Sequence, residues 1–285
     1  MSIAAPSKKS KYITHAVLIL LATVVLLPYA WLLVASLKTQ EDFFSGMFFP
    51  PGDGFLGIAW GSLTIGNYTK LFELGFGRAA INSVFYASAS AVFATLVSAV
   101  TGYVLAKSTF RGRTFMTLVV LGSLIIPPTL LIAPSYELLF KLGLLDSVWG
   151  LLLPTFAPAF GVFLFRQAVQ QSVPDELIEA ARIDGCSEFG IFMLIVMPLI
   201  RPMIGAFLLI TFLGMWNNFI TPQIVLQSES KQPLSVAIAQ LRGVYRTDYG
   251  LLMAATVISI APVAALFLVL QKQFISGLTS GAVKG

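Results

Sequence analysis

Six long apolar runs, separated by shorter polar segments, dominate the sequence. They comprise residues 13–36, 81–106, 114–133, 148–165, 203–226 and 250–270. Each is close to the roughly 20 residues that an α-helix needs to cross a bilayer core about 30 Å thick. Hydrophobic residues make up 57% of the chain and charged residues only 11%, unlike an ordinary soluble domain. The pattern predicts an all-α membrane protein with six transmembrane helices.

The polar segments divide the chain further. We predict an N-terminal cytosolic tail (1–12), a first transmembrane helix (13–36), an extracytoplasmic loop (37–76), a transmembrane domain of five helices (77–275) and a C-terminal cytosolic tail (276–285). Lys8, Lys9 and Lys11 resemble the charged start of a signal peptide. The apolar part that follows is too long for one and lacks a clean small-x-small cleavage site, so we expect an uncleaved anchor.

The positive charges predict the orientation of the chain. If both termini are cytoplasmic, the inner segments contain 11 of the 18 Lys and Arg residues. The short loop KSTFRGR, residues 107–113, is the most informative segment, because short loops follow the positive-inside rule best. We therefore predict a multi-pass membrane protein with both termini in the cytoplasm. Its net charge of +5 follows from this topology and implies no nucleic-acid partner.

Proline residues interrupt four of the predicted spans. They are Pro127 and Pro128, Pro154 and Pro158, Pro222, and Pro262. Each proline removes a backbone hydrogen bond and can kink a helix. Kinks are common in membrane spans, so the prolines are only weakly diagnostic of a gate.

A surface helix is predicted between the fifth and sixth runs. From Gln232 onward, apolar residues recur at helical spacing: Leu234, Ala237, Ile238, Leu241 and Tyr245. Such an amphipathic helix lies on a membrane surface, here the outer one. It either packs on the bundle, which the pattern alone favours, or contacts an extracytoplasmic partner.

The sequence lacks the residues that several function classes need. The single Cys186 and the single His15 exclude an internal disulfide and a metal cluster built from Cys or His. The chain has no HExxH motif and no Gly-Lys pair for a P-loop. The predicted spans hold no carboxylate near the midplane, which disfavours an ion-coupled carrier. We therefore expect no metal or cofactor site on this chain.

Neutral polar side chains are the candidates for a solute path. Asn217 and Asn218 lie in the fifth run, and Asn82 and Tyr86 lie in the second. Amides, hydroxyls and aromatic rings bind uncharged polar solutes such as sugars without the desolvation of a charge. Residues of these types also join helices in membranes, so both interpretations stay open.

The long inner loop, residues 166–202, contains a charged cluster. Its members are Asp175, Glu176, Glu179, Arg182, Asp184 and Glu188. Burying each charge in lipid costs roughly 2.5–3.5 kcal/mol, so this segment must lie in water. Pro174 predicts a helix start, Gly185 a turn and Ser187 the cap of a second helix. The pattern predicts a helix, a turn and a helix on the cytoplasmic face.

The order of residues in this loop resembles a known motif. Its elements are Glu179, Ala180, Ala181, Asp184, Gly185, Ile195, Pro198 and Pro202. They are similar to the EAA loop, here residues 175–202, of the inner-membrane permease subunits of ATP-binding-cassette (ABC) importers. Segments 82–113, 125–128, 142–147, 216–219 and 251–274 also look like these permeases, particularly the second permease chain of maltose-type systems. Cys186 departs from the pattern, since a small residue is usual there.

This resemblance implies a non-catalytic transport subunit of the prokaryotic inner membrane, a type I ABC importer permease fold and a set of partners. They are a second permease subunit in a heterodimer, two cytosolic ATPase subunits that bind ATP and Mg, an extracytoplasmic solute-binding protein and membrane lipid. It implies that Glu179, Ala180, Ala181, Asp184 and Gly185 dock on an ATPase subunit, with Glu179 in an ion pair. The expected solute is a sugar or related polyol. The tail 279–285 is expected to contact the same ATPase dimer.

Two other classes stay open. A stand-alone carrier or channel for a small polar solute would transport without an ATPase. An assembly or scaffold protein could be deleted without an effect on solute uptake. Association with an ATPase subunit through the long inner loop distinguishes the permease from both.

Overall fold

The computed structural model describes residues 8–243 and 247–282, with side chains for residues 11–243 and 247–268. In these residues the α-helices are α1 Lys8–Ala35, α2 Gly66–Glu73, α3 Phe76–Lys107, α4 Arg113–Ser123, α5 Ile132–Lys141, α6 Val148–Leu152, α7 Ala159–Ser172, α8 Asp175–Ile183, α9 Glu188–Ile191, α10 Met197–Leu199, α11 Arg201–Trp216, α12 Ile220–Val225, α13 Leu234–Gln240 and α14 Tyr249–Ala282. Short 3₁₀ turns lie at Phe55–Gly57, Trp60–Ser62, Pro128–Leu131, Leu153–Thr155 and Glu229–Lys231, and a π-helical turn at Phe192–Val196.

The chain divides into two compact units. The first comprises Met1–Phe76 and Ile238–Ala261, and the second comprises Gly77–Ala237 and Pro262–Gly285. In the first unit, the buried Asn67 donates from Nδ2 to the carbonyl oxygens of Ser36 and Lys38, both at 2.8 Å. These bonds hold α2 against the residues that follow α1. The second unit contains all the residues predicted for docking and for the solute path.

Helices long enough to cross a membrane confirm the predicted fold class. In the described residues, four segments are long and apolar enough: Lys11–Ala35, Phe76–Lys107, Val148–Ser172 and Tyr249–Leu268. Two further helix pairs are long and apolar enough when each pair is taken together, but both pairs are bent. The bend is 97° between Arg113–Ser123 and Pro128–Lys141, and 81° between Glu188–Leu199 and Arg201–Trp216. If each bent pair is one span, the total is six.

The third predicted span, residues 114–133, is not one continuous helix. The helix α4 ends at Ser123, Pro127 is extended with φ −61° and ψ 129°, and a 3₁₀ turn begins at Pro128. Proline lacks an N–H group, and it disfavours a helical conformation of the residue before it. Two successive prolines therefore end the α-helix, and the chain bends into α5.

The fifth predicted span, residues 203–226, is also wrong as a single helix. It starts with α11 after the 81° bend, stops at Trp216 and restarts with α12 at Ile220. Pro222 cannot donate a hydrogen bond to the carbonyl of Asn218, four residues earlier, and its ring would clash with that carbonyl. The break between α11 and α12 follows from this constraint.

Other prolines leave their helices continuous. Pro28 lies inside α1 and Pro262 inside α14, and both helices continue beyond them. Pro28 also adds a fifth proline-containing span to the four that the sequence analysis counted. The last helix reaches Ala282, well into the predicted tail 276–285, although the side chains of that tail lie outside the described residues.

The predicted surface helix after Gln232 is shorter than expected. The helix α13 ends before Leu241, and Tyr245 lies outside the described residues. Its buried residues are Leu234 and Val236, which are two positions apart and do not form the predicted apolar face. The chain turns at Leu241, and a β-bridge between Arg242 and Thr247 follows.

The core of the second unit joins α3, α7, α8 and α11. Its buried cluster consists of Ala94, Ala99, Tyr103, Ala106, Phe165, Ala168, Val169, Val173, Ile178, Ala181, Ile191, Phe192, Val196, Ile200 and Phe207. A Cβ atom at Gly102 would lie 2.7 Å from the backbone nitrogen of Arg166, so α3 and α7 approach closely only because glycine is there. Small residues at helix contacts are typical of membrane bundles.

Candidate functional site

The charged segment folds as the sequence predicts, into a helix, a turn and a second helix. Pro174 is extended and precedes α8, whose first turn contains Asp175 and Glu176 and whose last turn contains Arg182. Acidic groups near the N-terminus and a basic group near the C-terminus interact favourably with the helix dipole. Local sequence chemistry therefore defines both ends of α8.

The turn after α8 depends on Gly185. Its φ of +79° lies in the left-handed region. The N–H of Cys186 donates to the carbonyl of Ala181 at 2.9 Å, and the N–H of Gly185 to that of Arg182 at 3.1 Å. This pair of bonds is a Schellman motif, for which glycine is the preferred residue. The predicted cap is confirmed as well, because Ser187 Oγ accepts from the N–H of Gly190 at 3.1 Å.

One exposed face of α8 carries three apolar residues. Leu177, Ala180 and Ile183 are spaced three residues apart along it, and the exposed Glu176 lies between Ala180 and Ile183 around the helix. All three are exposed, and Ile183 is 86% exposed. The sequence analysis identified Ala180 but missed Leu177 and Ile183. Their apolar character at helical spacing, inside the most charged segment of the chain, was the signal that could have found them.

The opposite face of α8 packs on the chain's own core. Ile178 and Ala181 belong to the buried cluster, and Ala181 is only 9% exposed. Ala181 therefore offers little surface to another protein and packs α8 in place. The other predicted docking residues lie at the surface: Glu179, Ala180, Asp184 and Gly185.

Two polar links attach this segment to the Lys107 end of α3. Lys107 Nζ lies 2.5 Å from Asp175 Oδ1, with side-chain exposures of 8% and 74%. Glu188 accepts from Tyr103 Oη at 2.9 Å and from Arg182 Nε at 2.7 Å. The sequence could not reveal these contacts, because up to 85 residues separate the partners.

A recess of about 910 Å³ lies between α8, the Lys107 end of α3 and the loop before α4. Its charged lining residues are Lys107, Arg113, Asp175, Glu179, Arg182 and Glu188. Arg113 donates from Nε and Nη2 to the carbonyls of Leu105 and Ala106, both at 2.9 Å. The hydrogen bond to Glu188 is the main cause that raises the pKa of Arg182, and Glu179 adds to it. The recess therefore holds a mixed-charge network with Glu179 on its wall.

Two of the predicted solute-path residues hold a backbone segment instead. Asn82 donates from Nδ2 to the carbonyls of Ser230 at 3.0 Å and Gln232 at 3.1 Å. Tyr86 donates from Oη to the carbonyl of Lys231 at 2.9 Å. In this conformation both side chains act as the structural links that the sequence analysis left as the alternative.

A further ion pair supports the same segment. Lys231 Nζ lies 2.7 Å from Asp146 Oδ2, and Asp146 Oδ1 accepts from the N–H groups of Gln227 and Ser228. The hydrogen bonds from Lys231 and then from Ser228 hold the pKa of Asp146 well below its usual range. Asp146 has a positive φ of 53°, which is uncommon outside glycine and is compensated by these bonds.

The two asparagines of the fifth span have different surroundings. Asn217 is exposed and donates from Nδ2 to the carbonyl of Leu213 at 3.0 Å. Asn218 Oδ1 accepts from the N–H of Thr221 at 3.2 Å. Asn218 also lines a cavity of about 180 Å³, whose other polar side chains are Ser135, Tyr136, Thr155 and Thr221. Of the four predicted path residues, only Asn218 lines this cavity.

The comparison with protein families identifies the chain. Residues 91–280 match the model of the binding-protein-dependent transport system inner membrane component. The chain belongs to this family. It is therefore a permease subunit of a binding-protein-dependent transport system and a multi-pass protein of the inner membrane, as the resemblance of its EAA loop implied.

Relatives of this permease agree in length as well as in sequence. It is 40% identical over 230 residues to the arabinooligosaccharides transport system permease protein AraQ of Halalkalibacterium halodurans, covering 79% of this chain and 81% of the relative. It is 30% identical over 275 residues to the lactose transport system permease protein LacG of Rhizobium radiobacter, covering 95% and 96%. A chain of a bacterial ABC transporter involved in the import of the acidic polysaccharide alginate matches with 22% identity and a TM-score of 0.78, covering 96% of this chain and 100% of that one. This structural match confirms the ABC importer permease fold.

Proposed function

We propose that this permease forms half of the membrane pathway of an ATP-driven importer for a sugar or related polyol, and that α8 docks on a cytosolic ATPase subunit. In this proposal α8 and the Lys107 end of α3 face the cytoplasm, as do both termini. The subunit itself has no enzymatic activity. Two ATPase subunits bind ATP and Mg, a second permease completes the pathway, and a solute-binding protein delivers the solute from the other side.

The exposed face of α8 is the observation that supports docking most strongly. A helix held by Ile178 and Ala181 presents Leu177, Ala180 and Ile183 outward, although the segment is too charged to lie in lipid. Exposed apolar side chains rimmed by charges are typical of protein contact sites. The small Ala180 between two larger residues permits close approach of a partner surface.

Two observations support a sugar as the solute. The cavity beside Asn218 is lined by hydroxyl, amide and apolar groups, which suit an uncharged polyhydroxy solute. The relatives AraQ and LacG are named for transport of arabinooligosaccharides and lactose. We propose that Asn218 lies on the solute path and that Asn82 and Tyr86 support it structurally.

Co-purification with the ATPase subunit tests the docking. Replacement of Ile183 by Asp places a charge on the exposed face of α8, and we expect it to weaken retention of the ATPase at least about tenfold, or 1.4 kcal/mol. The matched control is Leu142→Asp, since Leu142 is also an exposed apolar residue (60%) and does not belong to α8. Equal retention by Ile183→Asp and the control would contradict the proposed docking face.

A further inference from the structure

The segment that contains α8 is fixed to α3 on both sides of the helix. Before its first turn ends, Asp175 pairs with the almost buried Lys107. Beyond its last turn, Glu188 bridges Arg182 to Tyr103. Lys107 and Tyr103 are four residues apart on α3, so both links reach the same end of that helix.

Apolar contacts fill the space between the two links. Ile178 and Ala181 of α8 belong to the same buried cluster as Tyr103 and Ala106 of α3. A displacement of α8 relative to α3 would separate charged partners and expose apolar surface together. Both changes are unfavourable, so the two helices are expected to move as one body.

The helix α3 is suited to transmit such a movement. It runs without interruption through 32 residues, Phe76–Lys107, a length of roughly 48 Å at 1.5 Å per residue. It contains no proline, whereas each of the other five predicted spans contains at least one. Since proline is a main cause of helix kinks, α3 is the span least prone to bend.

The other end of α3 binds a second segment. Asn82 and Tyr86 donate to the carbonyls of residues 230–232, and Ser83 Oγ accepts from the N–H of Leu234 at 2.7 Å. Three side chains of α3 thus hold the backbone that leads into α13. The pair of Lys231 with Asp146 fixes this backbone further.

We propose that α3 is a coupling rod. Its links to Asp175 and Glu188 make α8 and α3 one rigid body, so that a displacement of α8 reaches the segment 230–234 at the far end of α3. This inference rests on the proposed function, in which the ATPase displaces α8. Tyr103, Lys107, Asp175, Arg182 and Glu188 are then positioning residues for coupling, distinct from the exposed face that contacts the ATPase.

The test measures solute imported per ATP hydrolysed by the complete transporter in proteoliposomes, supplied with its solute-binding protein. In Glu188→Gln and in the milder Tyr103→Phe we expect retained ATPase subunits, continuing ATP hydrolysis and a ratio lowered at least about fivefold, the lower end of typical coupling between sites. Glu137→Gln is the control. It removes the exposed pair of Glu137 with Lys141, 2.6 Å apart on α5, and should leave the ratio unchanged.

A charge exchange distinguishes a coupling role from a general structural one. Lys107→Glu alone should lower the ratio, and Lys107→Glu with Asp175→Lys should restore most of it. Three results would overturn the coupling rod. They are an unchanged ratio in Glu188→Gln and Tyr103→Phe, a loss of ATPase subunits from these variants, and a failure of the charge exchange to restore coupling. Failure of the wild-type chain to bind an ATPase subunit at all would instead overturn the proposed function.

Discussion

Gly185 shows how a single residue determines a local structure. Its φ of +79° disfavours other residues, yet a Cβ atom there would meet no heavy atom within 4 Å. The constraint is therefore backbone strain and not lack of space. The sequence analysis predicted this turn because the chemistry of a helix end is local.

We expect Gly185→Val to reduce solute uptake about tenfold or more while the permease still reaches the membrane. A residue other than glycine costs roughly 1–2 kcal/mol in this conformation, and a β-branched one more. Gly185→Asn should be milder, since Asn tolerates the left-handed region. The control is Gly214→Val, at a helical glycine with open space and no positive φ. Normal ATP-dependent uptake by Gly185→Val would exclude a role of the turn in coupling.

Asp146 shows what residue patterns cannot reveal. Its ion pair with Lys231 joins residues 85 positions apart, and its positive φ, although more frequent for Asp than for most residues, is adopted by too few Asp residues to be predicted from the sequence. Asn82 and Tyr86 were recognised as polar groups in a span, but their partners are backbone carbonyls, which any sequence would supply. For such residues the sequence predicts polarity, and only the fold determines whether a solute or the chain itself is bound.

At the scale of elements, the apolar runs predicted the existence of the spans better than their shape. The prolines at 127–128 and 222 break their helices, whereas Pro28 and Pro262 do not. At the break before Pro222, the carbonyl of Asn218 accepts from Ser235 Oγ at 2.8 Å instead of from a helical N–H group. Such tertiary partners are not encoded in the hydrophobic pattern.

Two variants distinguish a side chain that supports the fold from one that binds the solute. Tyr86→Phe should lower the free energy of unfolding by about 0.5–1.5 kcal/mol, since one hydrogen bond is lost, and leave the apparent solute affinity unchanged. Asn218→Ala should weaken that affinity. Thermal unfolding in detergent and uptake kinetics provide the two measurements, with Ser88→Ala, an exposed hydroxyl on α3, as the control. A weaker affinity in Tyr86→Phe without a loss of stability would place Tyr86 on the solute path instead.

At the scale of the whole molecule, two groups of residues have different roles in the proposed coupling. Leu177, Ala180 and Ile183 face outward, where we propose that the ATPase subunit docks, and the links through Lys107 and Glu188 face inward to α3. The composition indicated a membrane protein, and the EAA loop indicated its family. The inward links required the fold, because they join segments far apart in the sequence.

The central claim is that ATP hydrolysis by a partner drives solute through this chain. Its most direct test is the uptake of a labelled sugar by proteoliposomes that contain the permease pair, with the solute-binding protein outside and ATP inside together with the ATPase subunits. We predict that the sugar accumulates only when ATP, the ATPase and the wild-type face of α8 are all present. We predict that this accumulation is lost in Ile183→Asp. Equal sugar uptake without ATPase subunits would show a stand-alone carrier and contradict the account.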